Sequence, residues 1–544
     1  MAKKIPAVFT REATGLVRGI SLIDAIVVNL SLASIVYAQF GLLLLPFVFA
    51  GASLTNSVLL SIPGCIAVGV VYWLFNVAMP RSGGDYVYQT RVFPPFLGFA
   101  SNFSWVMGNL LFIVVNCVAL NTYGITGLFS VAGVVFNNQS FFSFANLIGS
   151  PNGIFLVATV ANVLAVVVVA FGLKPLFRVL NIIFVLGAAG TILAILLLVL
   201  TPHSEFVSAF SRFGDYNAII NEANSAGVFP IVNDWNQWYP TFFGMGSASA
   251  TLSFFVYSTQ TGGELKRVRT TAPIALFVSF GILGLFVFLM AYAFSNTIGS
   301  QFLGSMYGLF FGGSSKYPFG VAGPSLLMFA AILSGGDPVL FWFMGIGILL
   351  YLFVNLPVFY LTQSRGIMAW SFDRVFPEPL SRVNDRFHSP INSVIFMLMI
   401  TEFTLIPVVY ATTFSSLWVT VIAALFISGT ITVFLVGVAG VVFPYVRKNL
   451  YDNSGIEGKR VGHVPLITLG GLGTSVFMAI LLYAYMTNPG YGIYNPSSIS
   501  LTILGYGFGF CWFIAGMVIY LVSRHVRKQQ GIDFDMIFKL IPPE

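Results

Sequence analysis

The chain has 544 residues, of which 57% are hydrophobic, 16% aromatic and only 8% charged, and its formal net charge is +7. Ordinary soluble domains carry about 25% charged residues, so that class is excluded and a lipid bilayer is the expected solvent. The basic residues are scattered through short segments rather than gathered on one patch, which argues against a nucleic-acid partner and for a face opposite anionic lipid.

No Lys or Arg lies between Arg18 and Arg81. That mostly apolar stretch is too long for one span of about 20 residues and is read as two, at 21–50 and 53–79. The same reasoning places spans at 95–130, 153–173, 177–200, 240–263, 273–298, 338–364, 390–411, 414–443, 464–487 and 498–523. With these twelve crossings, all but Arg212 and Lys316 of the 25 Lys and Arg fall on one side. Basic residues favour the cytoplasmic side, so both termini are expected there. The first apolar segment is too long for a signal peptide and is read as a retained span.

The expected architecture is therefore an all-α membrane protein. A cytoplasmic segment (1–20) precedes five spans within 21–200, and an outer loop (201–239) leads to five more within 240–443. Two further helices lie within 464–523, and 524–544 forms a cytoplasmic tail. Ser21-Leu22-Ile23-Asp24 has the pattern of a capping box opening span one, and Asp337-Pro338 sets a capping acid before a first-turn proline at span eight. Tyr317 to Gly335 is too short for a span and is expected to lie along the outer surface as a short helix. Cys65, Cys117 and Cys511 all fall in apolar spans, so no disulfide framework is implied. His203, His388, His463 and His525 all fall outside them, which argues against a metal centre or histidine relay in the membrane. No metal and no cofactor is expected.

Spans one and six carry polar interruptions. Span one contains Asn29-Leu30-Ser31-Leu32-Ala33-Ser34-Ile35, and span six runs from Gly244 through Ser249 and Leu252-Ser253-Phe254-Phe255 to Tyr257. They stand five spans apart, so equivalent helices of two five-span halves would cross in opposite senses. Paired interruptions in an inverted repeat point to a substrate site at the midplane. Close helix packing explains the same small residues, since Ser, Gly and Ala allow near approach and each interhelical hydrogen bond adds about 0.6 kcal/mol.

Several segments resemble the amino acid–polyamine–organocation (APC) superfamily of permeases. Met79-Pro80-Arg81-Ser82-Gly83-Gly84-Asp85-Tyr86-Val87-Tyr88, continuing to Phe93-Pro94-Pro95-Phe96-Leu97-Gly98-Phe99, is similar to that family's opening of span three. Gly263-Glu264-Leu265-Lys266 through Pro273, Ser364-Arg365-Gly366 through His388-Ser389-Pro390, and Pro444-Tyr445-Val446-Arg447 resemble its motifs after spans six, eight and ten. The resemblance implies a five-plus-five inverted repeat with broken helices one and six, two peripheral helices, and an amino acid bound at the breaks. It places the substrate carboxylate at Leu32-Ala33-Ser34, where the family has glycine-serine-glycine, and the ammonium at the carbonyls of Leu252 to Phe255. Both of those glycines are missing, and Val268 replaces a motif proline. The lysine that stands in for a coupling ion in some relatives is absent as well, because span five holds only Arg178.

Asn102, Trp105 and Asn109 of span three, with Tyr257, are candidates to close over a substrate, and packing is the competing role. Glu264 is a candidate inner gate, pairing with Arg18 or Arg365; its other reading is a solvated acid beside Lys266 and Arg267. Glu402, an acid deep within span nine, costs about 2.5–3.5 kcal/mol to insert and is read as a hydrogen-bonded packing group near Thr401 or Thr404, with a proton relay as alternative. The leading expectation is a secondary transporter of amino acids or related amines, driven by a proton or sodium gradient or by exchange. The alternatives are the same fold carrying another small organic solute, an intramembrane enzyme acting on lipid-type substrates, and a channel. An enzyme needs clustered catalytic groups at one depth and a channel a pore-loop signature or charged ring, neither of which the spans offer.

Overall fold

The structure is a computed structural model that describes residues 15–532 and 534–539, and of 412–424 and 535 the backbone alone. Lys3, Lys4 and Arg11, counted above on the cytoplasmic side, lie outside the described residues. Among the described residues, 11 helical stretches are long and apolar enough to cross a membrane.

The first stretch is interrupted, with α1 (Leu22–Leu32) and α2 (Ile35–Val48) meeting at Ala33-Ser34. Then come α3 (Leu54–Ala78), the short α4 (Asp85–Val92), and α5 (Pro95–Ala119), which continues through a π-helical turn at Leu120–Thr126 into α6 (Gly127–Val135). Next are α7 (Gln139–Ile148), α8 (Pro151–Ala170), α9 (Leu173–Leu200), α10 (His203–Phe210) and α11 (Tyr216–Ser225). Helix α12 (Trp238–Leu252) has 15 residues and so rises about 22 Å, short of a hydrocarbon core of about 30 Å. It gives way to turns and two 3-10 segments, Tyr257–Gln260 and Gly262–Glu264, so the sixth span is finished by irregular backbone rather than a second α-helix. There follow α13 (Val268–Ala293), α14 (Ser300–Phe311), α15 (Leu326–Leu333), α16 (Pro338–Phe372), α17 (Ile391–Tyr410) and α18 (Thr412–Val446). The chain closes with α19 (Lys448–Asp452), a two-residue-stranded hairpin at 460–465, α20 (Leu466–Thr487), α21 (Ile499–Gln529) and α22 (Phe534–Ile537).

Both caps read from sequence form. Ser21 and Asp24 exchange side-chain and backbone bonds, and Asp337 accepts from Val339 N and Leu340 N. Large apolar side chains such as Leu156, Phe403 and Ile503 point outward from α8, α17 and α21, the surface that lipid requires. Inside, α3 packs on α12 and α13, and α1 on α13; α16 packs on α5 and α8, and α17 on α8. The interruptions lie where these two groups meet, since Leu30 and Ser31 are bonded from α16.

Segment 317–335 departs from expectation. Rather than lying along a surface, α15 buries every side chain from Leu326 to Ile332, because an apolar run of that length gains too much from leaving water. Its first N–H is taken by Gln39 Oε1 of α2 at 2.7 Å, and α14 packs on α2 beside it. At the opposite end, backbone bonds join Ile20 N to Glu264 O and Lys266 N to Ile20 O, both at 3.0 Å.

Candidate functional site

Helix one breaks without glycine, and neighbouring side chains explain how. Ala33 ends α1 by returning its N–H to Asn29 O, and Ser34 (φ 14°, ψ 115°) starts α2 with its Oγ accepting from Tyr37 N at 3.3 Å. The carbonyls freed by the break are taken from α16. Tyr351 Oη donates to Leu30 O at 2.9 Å and also accepts from the Ile35 backbone, so one hydroxyl spans the gap. Asn355 Nδ2 donates to Ser31 O at 3.0 Å, and its Oδ1 accepts from Asn116 Nδ2 at 2.9 Å. Tyr351→Phe therefore leaves buried backbone groups unpaired and is expected to lower stability by about 1–3 kcal/mol, read as a lower unfolding temperature in detergent.

Asn29 is committed to structure: its Oδ1 accepts from Ser258 N at 2.8 Å and its Nδ2 reaches Ala275 O at 3.5 Å, joining the two interruptions. Past Leu252, no hydrogen bond of normal geometry among the described residues reaches the carbonyls of Ser253, Phe254 or Phe255. The side chains here divide by direction. Phe254 and Tyr257 face Trp105 at ring separations of 5.3 and 5.6 Å, and Tyr257 Oη donates to Asn109 Oδ1 at 3.1 Å. Gly429 of α18 leaves room for this stack, since a Cβ there would sit 2.6 Å from the Trp105 ring. Phe255 turns onto Phe280, Ser249 bonds Ser61, and Ser253 meets Cys65, so these three face α3 or α13. Leu252 and Ile35 are buried. Asn102 gives its Oδ1 to Trp370 Nε1 at 2.8 Å, within the α5–α16 contact.

Among the described residues, buried Ser31 Oγ, Ser258 Oγ, Trp105 Nε1 and Asn109 Nδ2 around the breaks have no hydrogen-bond partner. Native proteins pair the great majority of such atoms, so a cluster of exceptions marks a place suited to a polar ligand. The first-turn N–H of Val36 is likewise not taken within α2, and a helix N-terminus favours an anion.

At the Glu264 end, Arg365, not the exposed Arg18, is the partner. Arg365 Nε and Nη2 meet Glu264 Oε1 and Oε2, both at 2.9 Å, and each residue is 1% exposed. Glu402 takes Thr159 Oγ1 at 2.9 Å and Asn162 Nδ2 at 2.7 Å; Asn162 in turn reaches Thr401. Its bonds tie α17 to α8.

Sequence reasoning passed over Asp85. The Ser82-Gly83-Gly84 turn before it needs its glycines: φ is +95° at Gly83 and +37° at Gly84, where a Cβ would lie 3.0 Å from Thr259 O. That turn is strapped to the sixth span by Gly83 N to Gln260 O at 2.8 Å, which buries Asp85. Burial pushes its carboxyl from the ordinary acidic range up to about 7, while bonds from Tyr72 and Gln260 pull it back. A first-turn position favours an acid's anion by about 0.3–1 kcal/mol, less than the several kcal/mol lost on burying an unpaired charge. One signal was available, since Asp85 is the only acid between Asp24 and Glu205.

The sequence model of a family described as amino acid permease matches residues 24–508. No curated protein matches the chain.

Proposed function

The chain belongs to the amino acid permease family of the APC superfamily, and on that premise we propose that it is a secondary active transporter moving amino acids or related amines by alternating access. We further propose twelve crossings in two inverted five-span repeats plus two peripheral helices, with both termini and the Glu264 end cytoplasmic. The single observation that carries the reading is the pair of interruptions, at Ala33-Ser34 and beyond Leu252, joined through Asn29 and ringed by unpartnered polar atoms. The substrate carboxylate meets the first turn of α2, and its ammonium meets the carbonyls of Ser253 to Phe255. Trp105, Phe254 and Tyr257 flank its side chain. Glu264 and Arg365 act as the inner gate, and α14 with α15 covers the outer approach. Glu402 serves packing. With no charged side chain at the breaks, neutral amino acids fit this site better than acidic ones.

The test is counterflow in liposomes: purified protein loaded inside with unlabelled amino acids is expected to take up radiolabel from a mixture of the twenty. No exchange of any of them, nor of simple organic amines assayed in the same way, would refute the reading.

A further inference from the structure

Among the described residues, two carboxyl groups link the group containing α3 and the residues after α12 with the group containing α4, α5 and α16. One is Glu264, whose charge Arg365 balances. The other is Asp85. Its Oδ2 accepts from Gln260 Nε2 at 2.7 Å, Tyr72 of α3 bonds the same carboxyl, and Oδ1 is buried without a partner.

Among the described residues, no cation pairs with this carboxyl. Tyr72 faces it from α3, Tyr88 stands on its own helix, and Tyr257 approaches from the sixth span. Helices α5 and α18, which pack on α4, carry no acidic, basic or histidine side chain. Arg365 of α16 comes near only through its carbonyl oxygen against Gly83, its guanidinium being held by Glu264. Asn76, one turn beyond Tyr72 on α3, is buried with both amide atoms unpartnered, against Gly262. A carboxyl in such surroundings is most stable in its neutral form.

Resting on the transport reading, we propose that Asp85 is the proton-coupling site: it holds a proton while the inner side is closed and releases it to the cytoplasm when Gln260 and Tyr72 move away and water enters. In the outward-facing state hydronium gives its proton to the carboxylate, leaving water. On the inner side the acid O–H breaks, its proton passes to water, and the carboxylate is restored. One proton crosses with each substrate and no electron moves. The hydroxyls of Tyr72, which bonds the carboxyl, and of Tyr257, which bonds Asn109 beside the aromatic pocket, supply the polar path.

The sign follows from a folded-state pKa raised to about 7. The closed form binds a proton that the hydrated form gives up, so closure is favoured in acid and loses that advantage as pH rises through about 7.

The test uses full-length protein in liposomes with a radiolabelled mixture of the twenty amino acids. Wild type is expected to concentrate label under an inward proton gradient. Asp85→Asn is expected to retain counterflow while gradient-driven accumulation falls to equal distribution. Asp85→Asn that still concentrates label, or wild type that concentrates it with sodium alone, would overturn the proposal and leave the transport reading intact. Should wild type show no counterflow, the transport reading fails, and infrared spectroscopy still decides proton binding. A neutral-carboxyl band that titrates near neutral pH and shifts in Asp85→Glu supports the site; a band unchanged by that substitution, even if Asp85→Asn does not fold, contradicts it.

Discussion

Ser34→Leu is expected to fold, reach the membrane and lose transport about a hundredfold or more. Ser34 Oγ caps α2 through Tyr37 N, and its backbone sets where the break falls. Losing a cap costs about 1 kcal/mol, a small fraction of a polytopic protein's stability. The larger consequence is geometric. A branched side chain at a fully buried position pushes the first turn of α2 away from the proposed substrate site, and a displacement of about 1 Å is enough for a hundredfold loss. Counterflow measured beside size-exclusion profiles separates the two effects. Full transport in a well-folded Ser34→Leu protein would take the helix-one break out of the substrate path.

Arg365→Leu is expected to open the cytoplasmic side. With both partners 1% exposed, removing the arginine leaves Glu264 buried without its counter-ion, at a cost of about 3–5 kcal/mol. The protein escapes that cost by letting water reach Glu264, which shifts the closed-to-open ratio by roughly two to four orders of magnitude. A cysteine introduced at buried Thr261, beside the gate, reports it. Its alkylation from the cytoplasmic side should speed up accordingly, and pairing Arg365→Leu with Glu264→Gln should restore slow labelling because no charge is then left to hydrate. An unchanged rate in Arg365→Leu would show that the backbone bonds between Ile20 and the segment Glu264–Lys266 hold the end closed by themselves.

Most of the span pattern was legible because it rests on bulk quantities: gaps between basic residues compared with the thickness of hydrocarbon. The break in helix one was legible as a place, through its run of small polar residues, but not as a mechanism. What holds it open is Tyr351 and Asn355, more than 300 positions away in sequence, and no local pattern announces them. The sixth span was read to residue 263 with its interruption at Leu252 to Phe255; α12 stops at Leu252, and what the sequence did not announce is that two 3-10 segments rather than a second α-helix follow. The neighbouring Phe254 and Phe255 look alike in sequence, and only packing sends one to Trp105 and the other to Phe280. Nor does any local pattern announce that Asn102 Oδ1 is taken by Trp370 across the α5–α16 contact. Segment 317–335 failed because length argued for a surface helix while the buried face of α15 is decided by Gln39 and the helices around it.

Cryo-electron microscopy of the purified protein with its transported amino acid bound tests the central claim most directly. Density is expected at Ala33-Ser34, with the carboxylate within hydrogen-bonding distance of the Val36 N–H, the ammonium at the carbonyls of Ser253 to Phe255, and Trp105 alongside. A map in which helix one runs unbroken through Ser34, with the amino acid seated elsewhere, would contradict it.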